Sequence, residues 1–304
     1  MKLCIATRGS ELALWQAHHV KGRLEALGCA IELSVIKTTG DKILDRPLAE
    51  VGGKGLFVKE IEQALLDGAA DLAVHSMKDV PADLAPGLVM AAVSEREDVR
   101  DALVSRGGLR FADLPAGARV GTSSLRRVCQ LSALRGDLDF VPLRGNVPTR
   151  IDKVLSGQVD AAVLAAAGLH RLGRTGQVSE LFDPALVIPA GGQGALGIET
   201  RAGDAGIIDV VRRAIHHEAD AACVAAERGL SARLGGSCQT PLAAHARLIE
   251  PGTLELRALV GRPDGSDLIR AERVGSVVDP AALGSAVGTE LIARGADRIL
   301  RDLM

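Results

Sequence analysis

One segment of this chain occurs twice. LLDGAADLAVHSMKD (Leu65–Asp79) aligns with VLSGQVDAAVLAAAG (Val154–Gly168), which sets Asp71 on Asp160 and Val74 on Val163. A strand, a serine-rich turn and a helix also recur, at Ile5–Leu14 and again at Val120–Leu131. Around both copies, short aliphatic runs alternate with helical patterns. LCIAT (Leu3–Thr7), IELSVIK (Ile31–Lys37), DLAV (Asp71–Val74) and LVMAAVS (Leu88–Ser94) read as strands in the first set; ARVG (Ala118–Gly121), DFVPL (Asp139–Leu143) and DAAVLAAAG (Asp160–Gly168) read so in the second. Strands separated by helices imply βαβ units and mainly parallel sheets. Two such α/β domains facing each other leave a cleft, and ligands of these sheets sit beyond the carboxyl ends of the strands.

The repeat also works as a control. Where the first copy has His75, Ser76, Met77, Lys78 and Asp79, the second has Leu164, Ala165, Ala166, Ala167 and Gly168. The scaffold alone does not need the polar set, which raises the case for chemistry there.

At 304 residues the chain is too long for one ordinary core. Two segments suit domain crossings, SEREDVRD (Ser94–Asp101) and the Pro/Gly-rich IPAGGQGALG (Ile188–Gly197). The expected partition is residues 1–97 with 194–214, residues 98–193, and a small α+β module over 215–304. That last module opens with an Ala-rich helix (Glu218–Ala232), continues through strands near Leu254–Val260 and Leu268–Val274, and ends in a helix (Ala281–Arg294).

Composition removes several functions. Aromatic residues are 2% of the chain and tyrosine is absent, so a platform for stacking bases is hard to assemble. A net charge of −2 argues against a dedicated nucleic-acid or membrane-surface protein. No apolar run of about 18 residues suggests a membrane span, and Arg8 and Glu11 interrupt the short apolar start, so no leader is expected. The five cysteines form no C-x-x-C pair. A reducing cytoplasm suits them better than a disulfide framework, and no metal site is expected.

Basic residues recur at strand ends. Arg126 and Arg127 fall in the first turn of a helix, where positive charge opposes the helix dipole by roughly 0.3–1 kcal/mol each. A bound anion would reverse that sign. Arg8 ends the first strand, Arg144 follows a strand in VPLRGN, Arg150 lies in the next helical turn, Arg171 follows DAAVLAAAG, and Lys54 sits in GGKG. Any one of them alone is as well explained by a local surface ion pair. The set together points to a small polycarboxylate or a phosphate ester. GGKG lacks the G-x-x-x-x-G-K-[ST] spacing, so it is not a P-loop.

Two residues suit covalent or proton chemistry. Asp79 follows a buried strand and precedes Pro81, as a loop ion pair with Lys78 or as a carboxylate able to hold a proton or a cation. Cys238 lies in a flexible loop after Gly235, Gly236 and Ser237, where glycines allow close approach of a ligand; Cys4, Cys29, Cys129 and Cys223 have ordinary apolar flanks.

ATRGSELALWQA (Ala6–Ala17), GGKGLFVKE (Gly52–Glu60), AVHSMKDVP (Ala73–Pro81), GTSSLRR (Gly121–Arg127), LRGNVPTR (Leu143–Arg150), PAGGQGALG (Pro189–Gly197) and ERGLSARLGGSCQTPLA (Glu227–Ala243) resemble the porphobilinogen deaminase (hydroxymethylbilane synthase) family, in family order across nearly the whole chain. The resemblance implies two α/β domains like those of periplasmic binding proteins, with a cleft between them, plus a small C-terminal α+β domain. It implies a deaminating transferase that links four porphobilinogen molecules head to tail and releases hydroxymethylbilane for tetrapyrrole biosynthesis. It implies a dipyrromethane cofactor joined by a thioether to Cys238, with Asp79 as the catalytic carboxylate. Lys78, Thr122, Ser124, Arg126, Arg127 and Arg150 would hold that cofactor. Arg8, Ser10, Gln16, Lys54, Phe57, Arg144 and Arg171 would meet substrate, with Phe57 near a mobile loop. The expected enzyme is a cytoplasmic monomer without metal, nucleic acid or membrane. Glu50 stands where the family often has lysine, and Ser237 replaces a frequent glycine.

Two other classes share some of these features. A solute-binding module would have the two-lobed cleft but no need of the Cys238 loop. A thiol hydrolase would pair Cys238 with a histidine.

Overall fold

The structure, a computed structural model, describes residues 1–42, 58–236 and 240–303. Its strands are β1 (Lys2–Arg8), β2 (Ala30–Ile36), β3 (Leu72–Ser76), β4 (Leu88–Val93), β5 (Asp101–Ser105), β6 (Arg119–Gly121), β7 (Asp139–Val141), β8 (Ala161–Ala165), β9 (Glu180–Leu181), β10 (Leu196–Arg201), β11 (Leu242–Glu250), β12 (Thr253–Gly261) and β13 (Leu268–Ser276). The helices used below are α1 (Glu11–Glu25), α2 (Lys59–Leu66), α3 (Leu125–Leu134), α4 (Val147–Leu155), α5 (Ala166–Arg171), α6 (Ala205–Ile215), α7 (Glu218–Leu234), α8 (Pro280–Ala293) and α9 (Ala296–Arg301). Two compact units hold them: Met1–Glu97 with Ala195–Ala221, and Asp98–Gly194 with Ala222–Met304.

In the first unit the sheet order is β2-β1-β3-β10-β4, with β10 antiparallel to both neighbours. In the second, one sheet runs β7-β6-β8-β5-β9, with β5 antiparallel to both neighbours. The orders match strand for strand, so β10 and β5 hold the same place. Helices cover both faces. Leu3, Ile5, Val74 and Ile198 meet Val20 and Leu24 of α1 and Val211 of α6 on one face, while Ala6 and Ala73 meet Ile61 and Leu65 of α2 on the other. Each fully buried Leu or Ile contributes roughly 1.5–3 kcal/mol.

The repeat read from sequence extends to hydrogen bonds. Asp71 accepts the Cys4 amide on Oδ2 at 2.8 Å, and Asp160 accepts the Arg119 amide on Oδ2 at 2.9 Å. Each aspartate also faces an arginine that follows or ends the antiparallel strand, Arg201 at 3.3 Å and Arg106 at 3.4 Å. These carboxylates satisfy amides at the strand starts that would otherwise be orphaned.

The second unit also carries the antiparallel sheet β11-β12-β13. One face packs on α7, α8 and α9 through Leu230, Leu254, Leu256, Val287 and Ile299. Helices α7 and α8 cross closely: a Cβ on Gly284 would lie 2.0 Å from the Ala226 carbonyl oxygen, so only glycine fits. Glu227, fully buried in α7, accepts the amides of Gly192 at 2.6 Å and Ala246 at 2.8 Å.

Some local expectations change. DAAVLAAAG is a strand only as far as Ala165, and the helix α5 begins at Ala166. Asp101, expected within a crossing segment, starts β5. Strand β11 and helix α9 were not anticipated, because their short apolar stretches carry no strong period or stop signal of their own, and α6 was not anticipated although Ile207, Ile208, Val211, Ala214 and Ile215 keep a helical spacing. In the first unit, α1 sets Trp15 on His19 with ring centroids 5.3 Å apart and planes 6° from parallel.

Candidate active site

Strand β3 delivers its end directly to the candidate acid. After Ser76 the chain makes one tight 3₁₀ turn, Met77–Asp79, closed by the Val80 amide on the Met77 carbonyl at 3.2 Å. Met77 is buried, Lys78 half-buried and Asp79 exposed. The turn is held from behind. The Met77 amide donates to the Ala195 carbonyl at 3.0 Å, and Gln16 donates through Nε2 to Ser76 Oγ at 2.9 Å. The Asp79 carboxylate has no hydrogen-bond or ion-pair partner among the described residues.

Two further expected contacts of this unit have structural duties. Ser10 caps α1, accepting the Ala13 amide at 3.3 Å. Gln16 is buried and committed to Ser76, so its amide group stabilises the acid-bearing segment. Arg8 closes β1 and is half-buried. Lys54, Phe57, Glu50, Ser237 and Cys238 lie outside the described residues.

In the second unit, Arg126 and Arg127 do enter the first turn of α3, but both are buried there. Their guanidinium groups turn onto Asp101 at the start of β5. Arg126 reaches Asp101 Oδ2 with Nη1 at 2.7 Å and the Ile188 carbonyl at 2.8 Å. Arg127 reaches Asp101 Oδ1 with Nε at 3.0 Å and Nη2 at 2.7 Å, and the Val163 carbonyl with Nη1 at 2.8 Å. Gln193 adds a donor to Asp101 Oδ1 at 3.0 Å. Burial would raise the Asp101 carboxyl, but the charges of Arg126 and Arg127 outweigh it and hold it well below the usual carboxylate range. Burial lowers the Arg127 guanidinium against the pull of Asp101.

The anion these arginines call for is thus partly internal, a buried carboxylate rather than a surface ion pair. The charge balance is still unequal: two guanidinium groups share one carboxylate, leaving one net positive charge out of water. The helix start adds to it. Ser124 occupies the N-cap of α3, yet its hydroxyl makes no capping bond. Thr122 Oγ1 instead accepts the Ser124 amide at 3.2 Å, and Ser123 exchanges bonds with the Leu143 backbone at 3.1 and 3.2 Å.

The LRGN segment then presents Arg144. Gly145 takes φ +115°, and a Cβ there would meet Thr149 at 2.8 Å, so the turn demands glycine. Asn146 caps α4 through the Thr149 amide at 2.9 Å. Arg150 donates to the Gly145 carbonyl at 2.8 Å, and Arg171 to the Gly194 carbonyl at 2.6 Å. The half-buried Arg144 side chain has no acidic partner among the described residues. A half-buried cation, a buried cluster with surplus positive charge and a helix-start hydroxyl that makes no capping bond suit a polycarboxylate, the charge class of a dipyrromethane bearing acetate and propionate groups.

Sequence reasoning missed Asp101, since it falls in SEREDVRD, a run that reads as a solvated crossing. It also passed over Glu199, whose place is set by β10 returning to the first sheet from more than a hundred residues away.

Among the described residues no helix is long and apolar enough to cross a membrane. Residues 3–209 match the family model "porphobilinogen deaminase, dipyromethane cofactor binding domain", and residues 221–293 match the family's C-terminal domain. The chain is similar to the porphobilinogen deaminase of Syntrophobacter fumaroxidans, 52% identical over 301 residues and covering 98% of this chain and 97% of that protein. The porphobilinogen deaminase of Bordetella parapertussis is 53% identical over 305 residues, covering 100% of this chain and 96% of the relative. Among solved structures, the methionine-binding protein MetQ covers 70% of this chain and 89% of its own at 14% identity, with a TM-score of 0.41. An ancestral arginine-binding protein covers 70% and 90% at 16% identity, with a TM-score of 0.37. This chain belongs to the porphobilinogen deaminase family, the deaminating transferases that build hydroxymethylbilane on a dipyrromethane cofactor for tetrapyrrole biosynthesis.

Proposed function

We propose that Asp79 is the catalytic carboxylate of this enzyme, that Cys238 anchors the cofactor, and that the basic residues of the second unit hold its carboxylates. The observation that supports this most is the buried Arg126–Asp101–Arg127 cluster with its one surplus positive charge. A buried charge without a partner is costly, so an anionic ligand beside it stabilises the folded chain as well as itself.

The bound dipyrromethane would supply a nucleophilic pyrrole carbon at the end of a chain that carries carboxylates. Lys78, Thr122, Ser124, Arg126, Arg127 and Arg150 would hold those carboxylates. Arg8, Ser10, Gln16, Lys54, Phe57, Arg144 and Arg171 would meet the incoming porphobilinogen. Each charge-assisted hydrogen bond contributes roughly 1.5–3 kcal/mol. Asp79, exposed and without a partner among the described residues, would assist the departure of ammonia by moving a proton and would stabilise the cationic pyrrole through its negative charge. Gln16 and Ser10 also brace the segments that present these groups. On this proposal the chain divides into residues 1–97 with 194–214, 98–193 and 215–304, and works as a cytoplasmic monomer without metal.

The test is the intact mass of the denatured protein. An adduct of two porphobilinogen units less two ammonia, lost in Cys238→Ala, is expected. An unmodified mass that added porphobilinogen leaves unchanged would overturn the proposal.

A further inference from the structure

His75 and Glu199 form a buried pair under α2 that the ligand-facing reading does not use. His75 Nε2 lies 3.0 Å from Glu199 Oε2, and the side chains are 5% and 0% exposed. Glu199 Oε1 is buried without a hydrogen-bond partner among the described residues. Burying a carboxylate with one oxygen unpaired costs stability unless something else is gained. Glu62 on α2 feels the same cluster: burial raises its carboxyl, and the nearby Glu199 charge raises it further.

The second sheet shows what this position needs for folding alone. Strand β10 sets Gly197 opposite His75 and Glu199 opposite Ala73. Strand β5 sets Ala102 opposite Leu164 and Val104 opposite Ala162. With Val74 on Val163, the counterparts of His75 and Glu199 are therefore Leu164 and Val104. Both are buried and share one apolar cluster with Ile151 and Val154 of the covering helix. Two aliphatic side chains suffice there.

The two strands end differently. Strand β8 runs into α5, whose Ala166 and Leu169 bury into the same cluster and clamp the strand end. Strand β3 has only the turn Met77–Asp79 before Val80 and Pro81. Where α5 clamps β8, β3 has a polar tie to β10. The tie lies one residue from Ser76 and two from Met77, whose sulfur packs over Gly197 of β10.

We propose that His75 and Glu199 are positioning residues that fix the turn carrying Asp79. The pair holds the end of β3 against β10 in place of the missing helix. This rests on Asp79 as the catalytic carboxylate.

The test is His75→Leu/Glu199→Val, which installs the second sheet's own residues, measured beside Asp79→Ala and Glu199→Gln in protein carrying the cofactor mass. The double variant is expected to melt as one transition and to keep the mass adduct. Its kcat should fall about 10- to 100-fold with KM changed less than about twofold, as for a displaced catalytic group. Glu199→Gln keeps an acceptor for the His75 N–H and should restore kcat to within about threefold of the parent. A folded, loaded double variant with parental kcat overturns the proposal, as does a Glu199→Gln enzyme as impaired as the double variant. Should the double variant not fold, Glu199→Leu is read by the same kcat and KM criteria. If Asp79→Ala turns over normally, the assignment of Asp79 fails; if it is inactive while the double variant is not impaired, only the positioning role fails.

Discussion

Asp101 receives Arg126 at 2.7 Å with both side chains closed to water. The same carboxylate receives Arg127, so its removal leaves two buried cations facing each other. Asp101→Asn should cost about 3–5 kcal/mol of stability at pH 7, the scale for breaking a buried ion pair from one side. The sign with pH comes from the lowered carboxyl. The Asp101 charge contributes its full stability above the unfolded value of about 3.9 and loses it as pH falls toward the lowered folded value. The gap between parent and variant in urea unfolding should therefore narrow only below about pH 4.

Asp79 has no structural partner among the described residues to lose. Asp79→Ala should lower turnover by roughly 10²–10⁴-fold, the range for a lost acid–base group. Its unfolding free energy should stay within about 0.5 kcal/mol of the parent, as for an exposed side chain. Steady-state assays and denaturant melts of one preparation check both halves.

Arg144 differs from Arg126 in the same way. Arg144→Leu should leave stability nearly unchanged, within about 0.5 kcal/mol. It should reduce kcat/KM for porphobilinogen by about 10- to 100-fold, one charge-assisted contact. Arg126→Leu should in addition lower the melting temperature and the cofactor-loaded fraction seen by mass.

The cysteines divide by access. Cys29, Cys129 and Cys223 are buried, and burial pushes the Cys129 thiol up to about 12. Native alkylation near pH 8 should spare all three, since the thiolate is the reactive form. Peptide mapping after brief iodoacetamide treatment checks this, and denaturation should expose all three at once.

The fold class was legible because it is written twice. Asp71 and Asp160 keep their spacing from the strands they lock, and both locks form. The turn of Lys78 and Asp79 was legible for the opposite reason, as the place where the copies disagree. What sequence could not give were partners joined by non-local pairing. Arg126 and Arg127 signal an anion, but Asp101 becomes that anion only when β5 lies beside β8. Glu199 meets His75 only because β10 returns between β3 and β4. Ser124 is a cap-forming residue type at the start of α3, but only the backbone path shows that its hydroxyl makes no capping bond there.

The stacking of Trp15 on His19 has an optical consequence. Trp15 is the single tryptophan and tyrosine is absent, so emission excited near 295 nm comes from one indole on one helix of the first unit. The chain therefore carries its own fluorescent gauge of the α1 surface, against which the second unit is dark.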